Sequence, residues 1–377
     1  MRYLVAPDSY KGTLTALEAA RIIADAIRSV DRLAEIDMCP LSDGGEGLLE
    51  AINARIGGSL VPCPTVDASG RAITARWLHL PDSETAVLES AACLGLSLLT
   101  LEDRCPQRAS SEGLGLMIRA VSTFGCRHVM IGLGGSATND CGYGLARALG
   151  YSLQSIAVET GRGLTASLRS VARIVPPTEP VIPPHVEVVV LADVTNPLLG
   201  PSGATYTYAE QKGALVEDLP LLEEGIRHFS TIIRRDIADI DPMLAGMGAA
   251  GGLGFALSAF CRARIIPGAG YVIDATDFHA RCARADVVIT GEGRLDAQTL
   301  YGKVIHHVAD AGRLAGKPVV AIVGSCDGDT ARIGSALGLD RIHVMTSHPT
   351  ESDLQIDIAR SNLKKAATDA LKAVDTF

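Results

Sequence analysis

Arg2-Tyr3-Leu4-Val5-Ala6-Pro7-Asp8-Ser9-Tyr10-Lys11-Gly12 opens the chain with an apolar run that stops abruptly at a proline and an acid. Tyr3–Ala6 has the character of a strand, and the polar turn behind it leads into a helical apolar period over Thr15–Arg28. The pattern then repeats: Ile36–Pro40 predicts a second strand and Glu46–Ile56 a second helix, closed by Gly57-Gly58. Strands that end in polar loops and feed helices are the grammar of α/β proteins.

The same grammar returns near the C-terminus. Val287–Thr290, Val319–Val323 and His343–Met345 predict strands, with helices around 303–315 and 352–374. The two chain ends are therefore expected to share one parallel sheet. Between them the texture changes, with short apolar strands at Ala86–Glu89, His128–Ile131 and Val186–Leu191 set among glycine-rich connections. The expectation is a discontinuous domain from residues 1–61 and 284–377, interrupted by an inserted second α/β domain at 62–283. Val175–Pro184 carries five prolines and reads as a rigid surface connection.

Composition narrows the function. Of 377 residues 47% are hydrophobic but 4% aromatic, and 39 are glycine, so small aliphatic side chains must fill a tightly layered interior. The net charge of −9 gives no general attraction to polyanions, which argues against nucleic acid and anionic membrane as partners. The N-terminal apolar run is too short for a signal peptide and no stretch approaches a membrane-spanning length, so a cytoplasmic location is expected. Nine scattered cysteines without a C-x-x-C pair read as reduced thiols, and nine histidines form no zinc pattern. Whether the chain forms a homodimer is left open at this level.

The polar loops hold the chemistry. Asp8, Ser9 and Lys11 follow the first strand, where parallel sheets open their binding crevice, and Thr13 or Thr15 can cap the next helix unaided. Asp43, Gly44 and Gly45 lie in Ser42-Asp43-Gly44-Gly45-Glu46-Gly47 at a helix start, suited to a phosphate, a metal or a hydroxyl ligand. Gly134, Gly135, Ser136 and Asn139 sit in Gly132–Asp140 between a strand and the helix predicted at 143–149, the context of an anion site. A second glycine-rich run, 246–254, reads equally as a ligand loop or a close-packed helix contact. Asp193 follows the strand Val186–Leu191 as a candidate base or metal ligand, the alternative being an Asx-turn acid. In Thr290-Gly291-Glu292-Gly293-Arg294-Leu295-Asp296, with Gln298, Thr299 and Lys303 behind it, Arg294 and Lys303 are cations for a transferring phosphoryl group, and Asp296 can hold Mg²⁺ or accept a proton. With no His-Ser or His-Cys pair standing out, this inventory favours phosphoryl transfer over acyl transfer or hydride chemistry.

Six ordered blocks carry a resemblance: A-P-D-S-Y-K-G at 6–12, S-D-G-G-E-G at 42–47, G-G-S-A-T-N-D at 134–140, D-V-T-N-P-L at 193–198, Q-K-G-A at 211–214 and T-G-E-G-R-L-D-A-Q-T at 290–299. Together they resemble the type I glycerate kinases. The resemblance implies a two-domain glycerate kinase-like fold, with a flavodoxin-like domain from both chain ends, an inserted α/β domain and a site in the cleft. It also implies ATP-dependent, Mg²⁺-assisted phosphorylation of D-glycerate to 2-phosphoglycerate. Under it, Lys11, Arg294, Lys303 and Lys212 are assigned to phosphate and carboxylate, Asp193 or Asp296 to base or metal ligand, and Asp8 and Asp43 to orienting hydroxyls or metal-bound water. Glu292 joins the substrate-binding set. The sequence departs from the family pattern at Cys141, where glycine is common, at Tyr208-Ala209-Glu210 and over Ala109–Leu116. These departures bear on the acceptor, so a related hydroxy acid is the alternative substrate. A non-catalytic sensor of a phosphorylated metabolite is the alternative class.

Overall fold

The computed structural model describes residues 1–155, 164–295, 302–346, 350, 353 and 355–372. In chain order its strands are Arg2–Pro7 (β1), Glu35–Met38 (β2), Ser59–Val66 (β3), Ala72–Leu80 (β4), Thr85–Glu89 (β5), His128–Gly132 (β6), Ser152–Ser155 (β7), Val171–Val175 (β8), Glu187–Leu191 (β9), Arg264–Ile266 (β10), Val287–Leu295 (β11), Val319–Cys326 (β12) and Arg341–Val344 (β13). The chain divides into two units, Met1–Gly57 with Gly268–Phe377, and Gly58–Pro267.

In the first unit the strands are ordered β13-β12-β11-β1-β2, every neighbouring pair parallel. Counted along this unit alone the order is 2-1-3-4-5, the flavodoxin-like arrangement, whose topological switch point lies between β1 and β11. Tyr3, Val5, Val287, Ile289, Val320 and Ile322 alternate onto one face and pack with the helices Ala16–Val30 and Ile356–Lys372. Leu4, Val288 and Ala321 point the other way and are equally buried, on the side of the helices Phe278–Arg284 and Val304–Ala315. Burial on both faces is why these strands read as unbroken apolar runs.

Three details of this unit differ from the sequence expectation. The second junction falls at 267/268 rather than 283/284, because Gly268–Ala275 and Phe278–Arg284 are helices that pack on Leu48–Ile56, Val304–Ala315 and β1. The first falls at 57/58 rather than 61/62, since residues from Ser59 pair with β4. Strand β11 also runs past Thr290 to Leu295, its ladder to β12 continuing through Glu292–Val323 and Arg294–Ser325. Glycines usually interrupt strands, but here a Cβ on Gly291 would lie 2.1 Å from the Ile322 carbonyl oxygen, so the close strand approach requires glycine.

The second unit holds a six-stranded sheet, β10-β9-β6-β5-β4-β3. β3, β4 and β5 run antiparallel, whereas β5, β6, β9 and β10 pair in parallel. A separate antiparallel pair is formed by β7 and β8. The unit's main core cluster runs from Cys63 to Ala263, with Trp77 edge-on to Phe124 at 5.1 Å, and Ala209, Ala214, Leu219 and Leu222 form a smaller one. The run 246–254 enters the helix Ala249–Cys261 and is a close-packed contact: a Cβ on Gly251 would stand 2.0 Å from the Thr138 carbonyl oxygen.

Candidate active site

Strand β1 delivers its loop to the switch point. The Asp8 N–H donates to the Gly291 carbonyl at 2.8 Å, prolonging the β1–β11 ladder by one bond. Tyr10 then folds back over the sheet. Its hydroxyl donates to the Ile322 carbonyl on β12 at 2.6 Å, crossing Gly291, where a Cβ would come within 2.4 Å of that hydroxyl. Thr15 caps the helix Ala16–Val30 in a reciprocal box with Glu18, at 3.2 and 3.1 Å, so neither Asp8 nor Lys11 serves as its cap.

A cavity of about 510 Å³ opens here, lined at its charged end by Asp8, Lys11, Asp43, Glu292, Arg294 and Lys303. Lys11 Nζ donates to Asp43 Oδ2 at 2.6 Å, while Asp43 Oδ1 accepts the Gly45 N–H at 3.0 Å. Burial acts to raise the Asp43 pKa, but the charge and hydrogen bond of Lys11 outweigh it and hold this carboxylate below its ordinary range. Asp43 correspondingly raises the Lys11 pKa. Asp8 goes the other way. Burial and then the neighbouring Asp43 charge push its pKa well above normal, with Lys11 and the Ser9 N–H opposing. Glu292 is buried on β11 with Lys303 Nζ at 3.9 Å. Ser9 Oγ, also lining the cavity, is buried without a hydrogen-bond partner among the described residues. Arg294 lies at the exposed rim, its guanidinium paired with Asp327 from the loop after β12.

The second unit gathers a different set. After β6, the loop 132–140 turns inward: Leu96 N–H donates to the Gly135 carbonyl at 2.8 Å, and Gly134 meets Ser90 Oγ at 3.3 Å. Lys212 is buried and donates to the Thr138 carbonyl at 2.7 Å and to Ser136 Oγ at 3.4 Å. Burial lowers its pKa to about 7, against the attraction of Asp140. Asn139 Nδ2 donates to Thr205 Oγ1 at 3.3 Å, whereas Asn139 Oδ1 and Thr138 Oγ1 are buried without partners among the described residues. Asp140 is held by the Ser111 N–H and hydroxyl at 2.9 and 2.8 Å and by the N–H groups of Gly142 and Gly144. Cys141 adopts φ +48, the left-handed region that explains glycine as the family's usual residue there.

Of the residues picked from sequence, Asp8, Ser9, Lys11, Asp43, Glu292, Arg294 and Lys303 meet in one cavity, with Gly44 and Gly45 in the adjoining loop. Ser136 and Asn139 sit with Lys212, and Gly134 and Gly135 lead into that cluster. Asp193 lies in the second unit, half-buried in the loop after β9. Asp296, with Gln298 and Thr299, lies outside the described residues. Tyr10, Ser111 and Thr205 received no role from sequence. Each acts through a tertiary contact, and a lone hydroxyl carries no pattern that points to its partner. Among the described residues, no three His, Cys, Asp or Glu side chains are grouped to hold a metal, and no helix is long and apolar enough to cross a membrane.

The profile of the Glycerate kinase family matches residues 3–375. The chain belongs to the glycerate kinase family. It is 40% identical over 324 residues to a glycerate kinase of Halalkalibacterium halodurans, covering 85% of each chain. It is 35% identical over 382 residues to the glycerate 2-kinase of Escherichia coli K12, covering 98% of each. A crystal structure from Salmonella typhimurium LT2, assigned as a glycerate kinase 2, superposes with a TM-score of 0.77 at 35% identity over 100% of both chains. This glycerate kinase family member thus shares its two-unit α/β fold with a solved relative.

Proposed function

We propose that the protein is an ATP-dependent glycerate 2-kinase, which joins the γ-phosphoryl group of ATP to the 2-hydroxyl of D-glycerate and releases ADP. The observation that carries this reading is the charged cavity at the β1–β11 switch point, where Lys11 and Lys303 stand beside Asp8, Asp43 and Glu292. Phosphoryl transfer needs positioning and neutralisation of charge more than covalent help, and lysines held by carboxylates supply both. In this reading Lys11 and Lys303 attract the anionic groups of the reactants, and Asp43 fixes the Lys11 ammonium at 2.6 Å.

Mg²⁺ is proposed to enter with ATP, where it neutralises charge building on the phosphate oxygens. Such an ion takes one or two protein carboxylates and completes its shell with phosphate and water. Asp193 or Asp296 is the carboxylate proposed to hold it.

The test is phosphorus and carbon NMR of the product formed from ATP, Mg²⁺ and D-glycerate. The expected product is 2-phosphoglycerate; a 3-phosphate would move the site of attack, and no phosphoglycerate would overturn the reading. ADP release measured in parallel with tartronate, erythronate and glycolate checks the acceptor, with D-glycerate expected to give the highest kcat/KM.

A further inference from the structure

We infer that Asp8 is the proton acceptor for the substrate hydroxyl, a role that rests on the kinase reading above. Asp8, Asp43 and Glu292 stand at the charged end of the cavity, which Asp353 also lines, and their surroundings divide these three into different tasks. Both oxygens of Asp43 are engaged, one by Lys11 Nζ at 2.6 Å and the other by the Gly45 N–H at 3.0 Å. A carboxylate so clamped by a cation and a backbone N–H is held in its ionised form. Glu292 is buried on β11 and faces Lys303 at 3.9 Å.

Asp8 is 3% exposed, lines the cavity, and accepts the Ser9 N–H at 2.6 Å through Oδ1. Its neighbour Ser9 presents a buried hydroxyl with no partner among the described residues, the kind of group that a substrate oxygen would satisfy. The groups facing Asp8 are Asp43 from the loop before Leu48–Ile56, Glu292 from β11 and Lys11 from its own loop. Two acids and one cation around a buried acid favour its uptake of a proton, and the Asp8 pKa is displaced upward accordingly. Neighbouring carboxylates driven in opposite directions are the arrangement that separates a proton carrier from a fixed charge.

In the step, the glycerate hydroxyl oxygen forms its bond to the γ-phosphorus and its proton passes to the Asp8 carboxylate. The bond from that phosphorus to the bridging oxygen breaks, and its electron pair leaves with ADP. The proton returns to solvent after the product departs. Tyr10, tied to the Ile322 carbonyl at 2.6 Å, holds the loop that carries Asp8 and is a positioning residue.

The experiment compares pH profiles of kcat/KM for the wild type, Asp8→Asn and Asp8→Glu, with a carbon NMR titration of the aspartate carboxyls. The wild type is expected to lose activity as pH falls through an acid limb. Asp8→Asn should lose roughly 100- to 10,000-fold in kcat and lack that limb, and Asp8→Glu should recover part of both. The NMR signal absent from Asp8→Asn should titrate above the ordinary aspartate range. An acid limb retained in Asp8→Asn, or a signal titrating near about 4, would overturn the inference while leaving the kinase reading intact. Absence of product from the wild type removes both. Near-UV circular dichroism of each variant separates loss of chemistry from loss of fold.

Discussion

Lys11 and Asp43 stand 32 positions apart in the chain and 2.6 Å apart in space. Lys11 itself is largely exposed, so replacing it removes charge without opening the core. Lys11→Met should lower kcat/KM by roughly 100-fold or more, about 3 kcal/mol of transition-state stabilisation, with cooperative unfolding retained; near-normal steady-state kinetics would contradict its assignment. Lys212 makes a different prediction, since burial has lowered its pKa to about 7. The unfolded chain keeps that proton up to about pH 10, so between these limits the unfolded state binds more protons and stability rises with pH. Below about pH 7 the folded protein carries the full cost of a buried charge. Urea unfolding of Lys212→Met at about pH 7 and about pH 9.5 should show this rise reduced by a few kcal/mol, the order expected for a shift of this size. Asp8, Lys11, Asp43 and Glu292, which meet in the cavity, were picked out by residue type and position at predicted strand ends, whereas Tyr10 was not. The separation of Asp8 from Asp43 was not legible either, because it depends on which oxygen meets which cation.

At the scale of elements, glycines mark the places where backbones touch. Gly251 has φ +71, and its Cβ would enter the Thr138 carbonyl oxygen at 2.0 Å. Gly251→Ala should therefore cost about 3 kcal/mol or more by denaturant unfolding and disturb the Lys212 contact with Thr138, whereas Thr15→Ala should cost about 1 kcal/mol through its lost cap and leave kcat unchanged. Sequence periodicity located β1, the helix Ala16–Val30 and β12 to within a few residues, because each is a buried run bounded by polar turns. It stopped β11 at Thr290, since Gly291 and Gly293 look like loop until their partner strand is known. The β3–β4 hairpin was passed over for a related reason. Its burial alternates weakly and prolines interrupt β3, so its identity comes from pairing with β4 over Ser59–Val66.

At the scale of the molecule, each unit closes its own hydrophobic core, one running from Tyr3 to Leu371 and the other from Cys63 to Ala263. The fragment Gly58–Pro267 should accordingly melt as a cooperative unit with dispersed amide resonances, while Gly268–Phe377 alone should not. The latter lacks β1 and β2, two of the five strands, together with the helix Ala16–Val30 that packs on β1 and on Ile356–Lys372. A non-cooperative melt of the first fragment would show that its core depends on the rest of the chain. The sequence by itself determined the α/β class, the pairing of the two chain ends and the acid-bearing loops, since these follow from local apolar period and from where polar turns interrupt it. Tertiary structure decided the strand order 2-1-3-4-5, the junction at 267/268 and the meeting of Asp8, Asp43 and Glu292 in one cavity. Those depend on contacts between residues far apart in the chain, such as the bond from Thr290 Oγ1 to the Ala6 carbonyl 284 positions away, whose energy appears only when distant strands pack side by side.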